Sequence, residues 1–155
     1  MRYLLILAVL FTGFISCNKD KFTTAPQIKF KSINPDNVTS GLTFNNKDLA
    51  PKITIHITDA EGDIGLTGKD TARVFIKNLL SNKVDSFNMP ALQSATSKNF
   101  EADVEINLYN TLYCRPGGPP RPRTDTTFYE VYVKDFAKNK SNVVTTDKPL
   151  YMRCL

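Results

Sequence analysis

Residues 100–108 read Phe100-Glu101-Ala102-Asp103-Val104-Glu105-Ile106-Asn107-Leu108, an unbroken alternation of apolar and polar side chains. A period of two sends successive side chains to opposite faces of an extended chain. Phe100, Ala102, Val104, Ile106 and Leu108 therefore share one face, and the acids share the other. A helix would scatter both sets around its axis. The stretch predicts a strand with one dry face and one wet face, as in an antiparallel sheet covered on one side.

The same pattern recurs on either side of it. Ile28 and Phe30 alternate with Lys29 and Lys31, and Ile53, Ile55 and Ile57 alternate with Lys52, Thr54, His56 and Thr58. Residues 73–80 form a third apolar run, with Ser81-Asn82 as a turn, residues 84–87 as its hairpin partner and Pro90 as the terminator. Residues 127–136 place Tyr129, Val131 and Val133 opposite Phe128, Glu130, Tyr132 and Lys134, and aromatics on both faces predict burial on both. Residues 142–145 pair, Lys148-Pro149 interrupts, and Leu150, Met152 and Cys154 resume the same parity. About seven short strands with turn chemistry between them predict an all-β fold over residues 26–155. The expected form is an antiparallel β-sandwich with immunoglobulin-like wiring, and a barrel is the alternative. An antibody-type core is excluded, because the chain has no Trp and no cysteine pair placed to cross the sheets.

The first residues follow different rules. Arg2 precedes a greasy stretch from Tyr3 to Ile15, too short for a bilayer that needs about 20 residues, and Ser16-Cys17 then opens onto Asn18-Lys19-Asp20-Lys21. A charged start, a short apolar run and a small residue at the cut describe a cleaved export leader. Residues 1–16 read as a lipoprotein signal peptide, Cys17 as the thiol to be acylated, and residues 17–25 as a flexible tether. Removing residues 1–16 of 155 leaves 139, one domain's worth. Arg2 leaves with them, so 19 basic residues stand against 15 acids, a net charge of about +4. No long run of like charge and no interleaving of basic and stacking residues points to nucleic acid.

Export also frames the two remaining cysteines. Disulfides persist outside the cytosol, so Cys114 and Cys154 are expected to pair, two free buried thiols being the alternative.

Three stretches could carry chemistry. The loop Asp59-Ala60-Glu61-Gly62-Asp63-Ile64-Gly65 offers Asp59, Glu61 and Asp63 as oxygen ligands for a hard cation such as calcium. It lacks the spacing of an EF-hand, so further oxygens would have to come from Asp135 or Asn139 if the two turns share one end of the sandwich. The plainer account, turn shaping by Asp and Gly, takes precedence at this stage. Residues 114–125, rich in Pro, Gly and Arg, are expected to form neither strand nor helix. Arg115, Arg121 and Arg123 could dock an anionic partner, or the stretch could be a solvated crossover loop. His56 is the sole histidine and falls on the outward face of its strand, which speaks against zinc or triad chemistry. Glu101, Asp103 and Glu105 read as solvated-face charge.

Taken in order, the leader ending at Cys17, the loop 59–65, the proline-rich segment after Cys114 and residues 129–142 resemble small uncharacterised lipoproteins of Bacteroidota-type bacteria carrying one immunoglobulin-like domain. In that group the second loop often reads Asp-x-Ala-Gly-Asn, and here Lys138 stands in the glycine's place. The resemblance implies the fold and a cell-envelope location, with Lys19-Asp20 resembling the tethers of outer-membrane display, and it implies no activity. The expected function is thus a non-enzymatic, lipid-anchored interaction or accessory module facing an envelope protein or glycan. A calcium-stabilised carbohydrate or ligand binder is the alternative.

Overall fold

The structure is a computed structural model that describes residues 21–67, 70–89 and 98–155. The leader, Cys17 and Pro90 lie outside the described residues. Among those described the chain is all-β, and no helix is long and apolar enough to cross a membrane.

Twelve strands follow in order. They are β1 (Gln27–Asn34), β2 (Asn37–Thr39), β3 (Lys52–Asp59), β4 (Leu66–Thr67), β5 (Asp70–Thr71), β6 (Arg73–Asn78), β7 (Val84–Asn88), β8 (Phe100–Asn107), β9 (Arg123–Thr127), β10 (Tyr129–Lys134), β11 (Val144–Thr145) and β12 (Leu150–Cys154). One antiparallel sheet has the order β1-β3-β8 and a second the order β11-β10-β6-β7. A third sheet, β2-β12-β9, includes one parallel pair, β2 with β12. The short β4–β5 pair stands apart.

The alternations read from the sequence become the inner faces. Ile53, Ile55 and Ile57 of β3 have no exposed surface, and Val104 and Ile106 of β8 lie beside them. Val74 and Ile76 of β6, with Tyr129, Val131 and Val133 of β10, close the same core from the second sheet. In β1 the register shifts between Phe30 and Ser32, so that Ile33 turns inward although its parity differs from that of Ile28. Each fully buried Ile contributes roughly 1.5–3 kcal/mol relative to exposure, which makes this packing the main stabilising term.

The outer face of β10 differs from expectation. Tyr132 is half-buried and stacks on Phe75 with ring centroids 4.7 Å apart, while Phe128 stays 38% exposed. Aromatic packing within one sheet accounts for the aromatics on that side. Thr58, expected outward, is buried where β3 runs into its loop. The last five residues of the expected tether are not loose either. The Ala60 amide donates to the Thr23 carbonyl at 3.1 Å, and Lys21 Nζ pairs with Glu101 at 2.6 Å.

Cys114 and Cys154 form a disulfide, with Cα atoms 6.0 Å apart. It joins the start of the proline-rich segment to the last strand, across 40 positions. Closing a loop of that length stabilises by about 4 kcal/mol in the chain-entropy treatment. Cys154→Ser is expected to lower the unfolding free energy by about that amount. Urea unfolding with and without reductant checks it, and reductant should change the wild type while leaving the variant where it is.

Candidate cation site between two loops

β3 carries Asp59 to the rim of the first sheet, and the chain must turn at once. Gly62 takes a φ of 71°, a left-handed conformation that a side chain disfavours, and its amide donates to Asp59 Oδ2 at 2.6 Å. β10 of the opposite sheet ends beside this turn, and Asp135 follows it at once, with a carboxylate that accepts from the Asn139 amide at 2.7 Å and from its side-chain amide at 2.9 Å. Lys138 sits at φ 72°, so the lysine adopts the backbone state that glycine would supply, and the tight turn forms.

The two turns are joined directly. Phe136 donates its amide to the Asp63 carbonyl at 3.1 Å, and the Ala137 amide approaches Asp63 Oδ2 at 3.3 Å. Carboxylate oxygens of Asp59, Asp63 and Asp135 consequently lie within 4.8 Å of one another. Asp59 and Asp135 are wholly buried and Asp63 is half-buried. Glu61 is exposed and falls outside the cluster, although it was expected among the ligands. Asn139 holds Asp135 in place.

Turn shaping explains part of this arrangement and leaves part over. The hydrogen bonds above use one oxygen of Asp59 and both of Asp135. Asp59 Oδ1 and Asp63 Oδ1 are buried with no hydrogen-bond partner. Among the described residues no Lys, Arg or His pairs with any of the three acids. Burial pushes the Asp59 carboxyl up to about 6, with the negative charge of Asp63 adding to the effect, and burial raises Asp135 as well. Three converging carboxylates with spare oxygens are the donor set a hard divalent cation takes, and backbone carbonyls or water would complete its shell.

The other expected sites behave differently. Arg123 does not project: its guanidinium holds Asp125 at 2.9 Å, the Pro119 carbonyl at 2.7 Å and the Arg115 carbonyl. It thereby organises the proline-rich loop from inside. Gly118 is needed there, because an added Cβ would lie 2.9 Å from the Arg123 guanidinium carbon. The last residues of that segment also form β9, against the expectation of no strand, since Asp125 and Thr127 bury beside β12. Arg121 reaches the Leu155 carbonyl at 2.9 Å from an exposed position, and Arg115 is exposed with its amide donating to Asp125. The three arginines therefore make no common anion cradle.

The acids on the wet face of β8, read from the sequence as solvated charge, form ion pairs with the neighbouring strand. His56 bridges Asp103 at 2.7 Å and Glu101 at 3.1 Å, and Lys52 meets Glu105 at 2.9 Å. A cleft of about 300 Å³ opens beside β8, walled by Val74, Phe87, Val104, Ile106 and Tyr109. Among the described residues that line it, Glu105 is the one carboxylate. No family model matches the chain, and no curated protein or solved structure matches it either.

The raised Asp59 value sets a pH dependence. Below about pH 4 the carboxyl is protonated in both folded and unfolded chains, so its contribution is fully present. Between 3.8 and about 6 the unfolded chain ionises first, and folded stability falls as pH rises. The loss reaches about 3 kcal/mol above pH 6 when no divalent cation is bound. With chelator present, the stability of wild type minus that of Asp59→Asn should decline across this window. A flat difference from pH 4 to 7 in urea unfolding would count against the burial of that charge.

Proposed function

We propose that this protein is a lipid-anchored, non-enzymatic domain of the cell envelope with immunoglobulin-like wiring, whose tether end is fastened by a calcium ion held by Asp59, Asp63 and Asp135. The observation that carries the ion is the pair of buried carboxylate oxygens, Asp59 Oδ1 and Asp63 Oδ1, with no partner. A buried acceptor left unmade costs about 1–3 kcal/mol, more when charged, and a divalent cation removes that cost for both oxygens at once. Calcium fits better than zinc, because the donors are all oxygen and the lone histidine is engaged with Glu101 and Asp103.

The wiring reading is supported by strand order. β1-β3-β8 facing β11-β10-β6-β7, with β6–β7 as a hairpin and chain crossings between sheets on either side of it, is an order that immunoglobulin-like wiring would give. Tyr129, fully buried as the first residue of β10, agrees in position with the buried tyrosine of such sandwiches, although its hydroxyl makes no hydrogen bond here. The anchor reading rests on the Cys17 leader pattern, and the oxidised Cys114–Cys154 pair agrees with an exported chain. The docked segment at Lys21 and Thr23 leaves a short reach from Cys17 to the folded body. On this reading the outer membrane is the site of display, and an envelope protein or glycan is the partner.

Two measurements test the proposal separately. At calcium a hundredfold above its dissociation constant, the melting temperature should rise by about 10 °C over chelator, and Asp63→Asn should abolish most of the rise. Equal melting in calcium and chelator would remove the ion from the account. Cys17→Ala should move the protein from the membrane to the soluble fraction, and unchanged fractionation would remove the anchor.

A further inference from the structure

Three features meet at one end of the sandwich. The chain joins the fold there, since Thr23 accepts from Ala60 in the loop that follows β3. The carboxylate cluster is there as well. The last row of the second sheet before that end is Arg73 on β6, Lys134 on β10 and Lys140, set side by side by the pairings Lys134 with Arg73 and Lys134 with Lys140.

That row runs against the usual rule. Like charges directly opposite on neighbouring strands destabilise a sheet, and none of these three cations has a carboxylate within 4.0 Å among the described residues. On the opposite sheet two of the strand lysines do meet acids, Lys52 with Glu105 and Lys31 with Asp103, while Lys29 has no such partner among the described residues. The row is also held in place. Lys140 lies 4.2 Å above the Tyr132 ring, and Lys134 and Arg73 lie 5.7 and 6.0 Å from the centre of the Phe75 ring. A ring face orients a cation without neutralising it.

We infer that Arg73, Lys134 and Lys140 dock the tether end of the domain onto anionic phospholipid headgroups, with their phosphates as the anions bound. The inference rests on the Cys17 anchor reading for its geometry. Cys17 and Lys21 are four peptide steps apart, a span of at most about 14 Å, so a lipid on Cys17 keeps this end within reach of the bilayer surface. Near an anionic surface each Lys or Arg adds several-fold to partitioning, and three together give on the order of a hundredfold. Anionic glycan is the weaker fit, because nothing on the row reads a sugar's hydroxyl groups beyond Ser86, which already accepts from Arg73.

The test uses the mature chain from residue 17 carrying Cys17→Ser, which takes no acyl group and contains every strand and core residue described. Flotation is run in chelator with vesicles of equal parts phosphatidylglycerol and phosphatidylcholine, and with phosphatidylcholine alone. Binding is expected only to the anionic vesicles, to be lost in about 0.5 M salt and to fall on the order of a hundredfold in Arg73→Gln/Lys134→Gln/Lys140→Gln. Lys29→Gln/Lys31→Gln/Lys52→Gln removes the same charge from the other sheet and should bind nearly as wild type. Equal losses in the two triples, or binding that requires calcium, would overturn the inference. Acetylation of the unmutated protein gives a readout independent of folding in the variants: vesicles should protect Lys134 and Lys140 but not Lys29, and uniform labelling would overturn it too. A mass measurement of the native N-terminal peptide tests acylation of Cys17 by itself, so failure of the anchor and failure of the docking surface are told apart.

Discussion

Packing of one isoleucine row decides the rest of this molecule. Ile53, Ile55 and Ile57 lie on the central strand of the first sheet, wholly out of water, and meet Val74, Ile76, Val131 and Val133 of the second sheet in one core. Because side chains alternate along a strand, fixing those three positions also sets Asp59, two residues past Ile57, on the inward side of β3. The strand ends at Asp59, and β10, locked by the same contacts, ends one residue before Asp135. The meeting of the two acidic turns is thus a consequence of core register. Neither loop could bring its carboxylates together alone, since the Asp63 contacts to Phe136 and Ala137 span two sheets.

What the sequence disclosed follows from the same physics. Strands with a sustained apolar period, β1, β3, β6, β8, β10 and β12, are legible because burial on one face dictates residue type. β2, β4 and β5 are too short to show a period, β11 falls within the segment 142–145 expected to pair, and β9 is a run of Arg, Thr and Asp whose burial depends on the partner strand β12. Asp59, Asp63 and Asp135 were legible as oxygen donors, but their grouping was not, because distance between loops is a property of topology. Glu61 has the right chemistry in the right loop and still points to solvent. Arg123 looked like a free cation for a related reason: its partners are mostly backbone carbonyls, which no composition reveals. Arg73, Lys134 and Lys140 passed unnoticed because each is ordinary in its own strand, and only pairing sets them in a row.

The two ends of the sandwich are fastened by different chemistry. Where β8 finishes at Asn107 and β10 begins at Tyr129, the chain passes through Cys114 and the third sheet, and a covalent bond to Cys154 closes it. That link holds at any ion concentration in an oxidising compartment. At the other end the loops are joined by a few amide hydrogen bonds around mutually repelling carboxylates. Stabilisation by a bound cation grows with its free concentration, so with the proposed ion the rigidity of that end would track its surroundings while the far end stays constant. Raised carboxyl values at Asp59 and Asp135 sharpen the contrast: without a cation, ionisation works against folding there, and with one, ionisation is what creates the ligands. The carboxylate end is also the one where Thr23, near the start of the described chain, meets the fold. On the proposed reading, the orientation of the whole domain relative to its anchor would be set where a reversible ion, and not a covalent bond, holds the loops together.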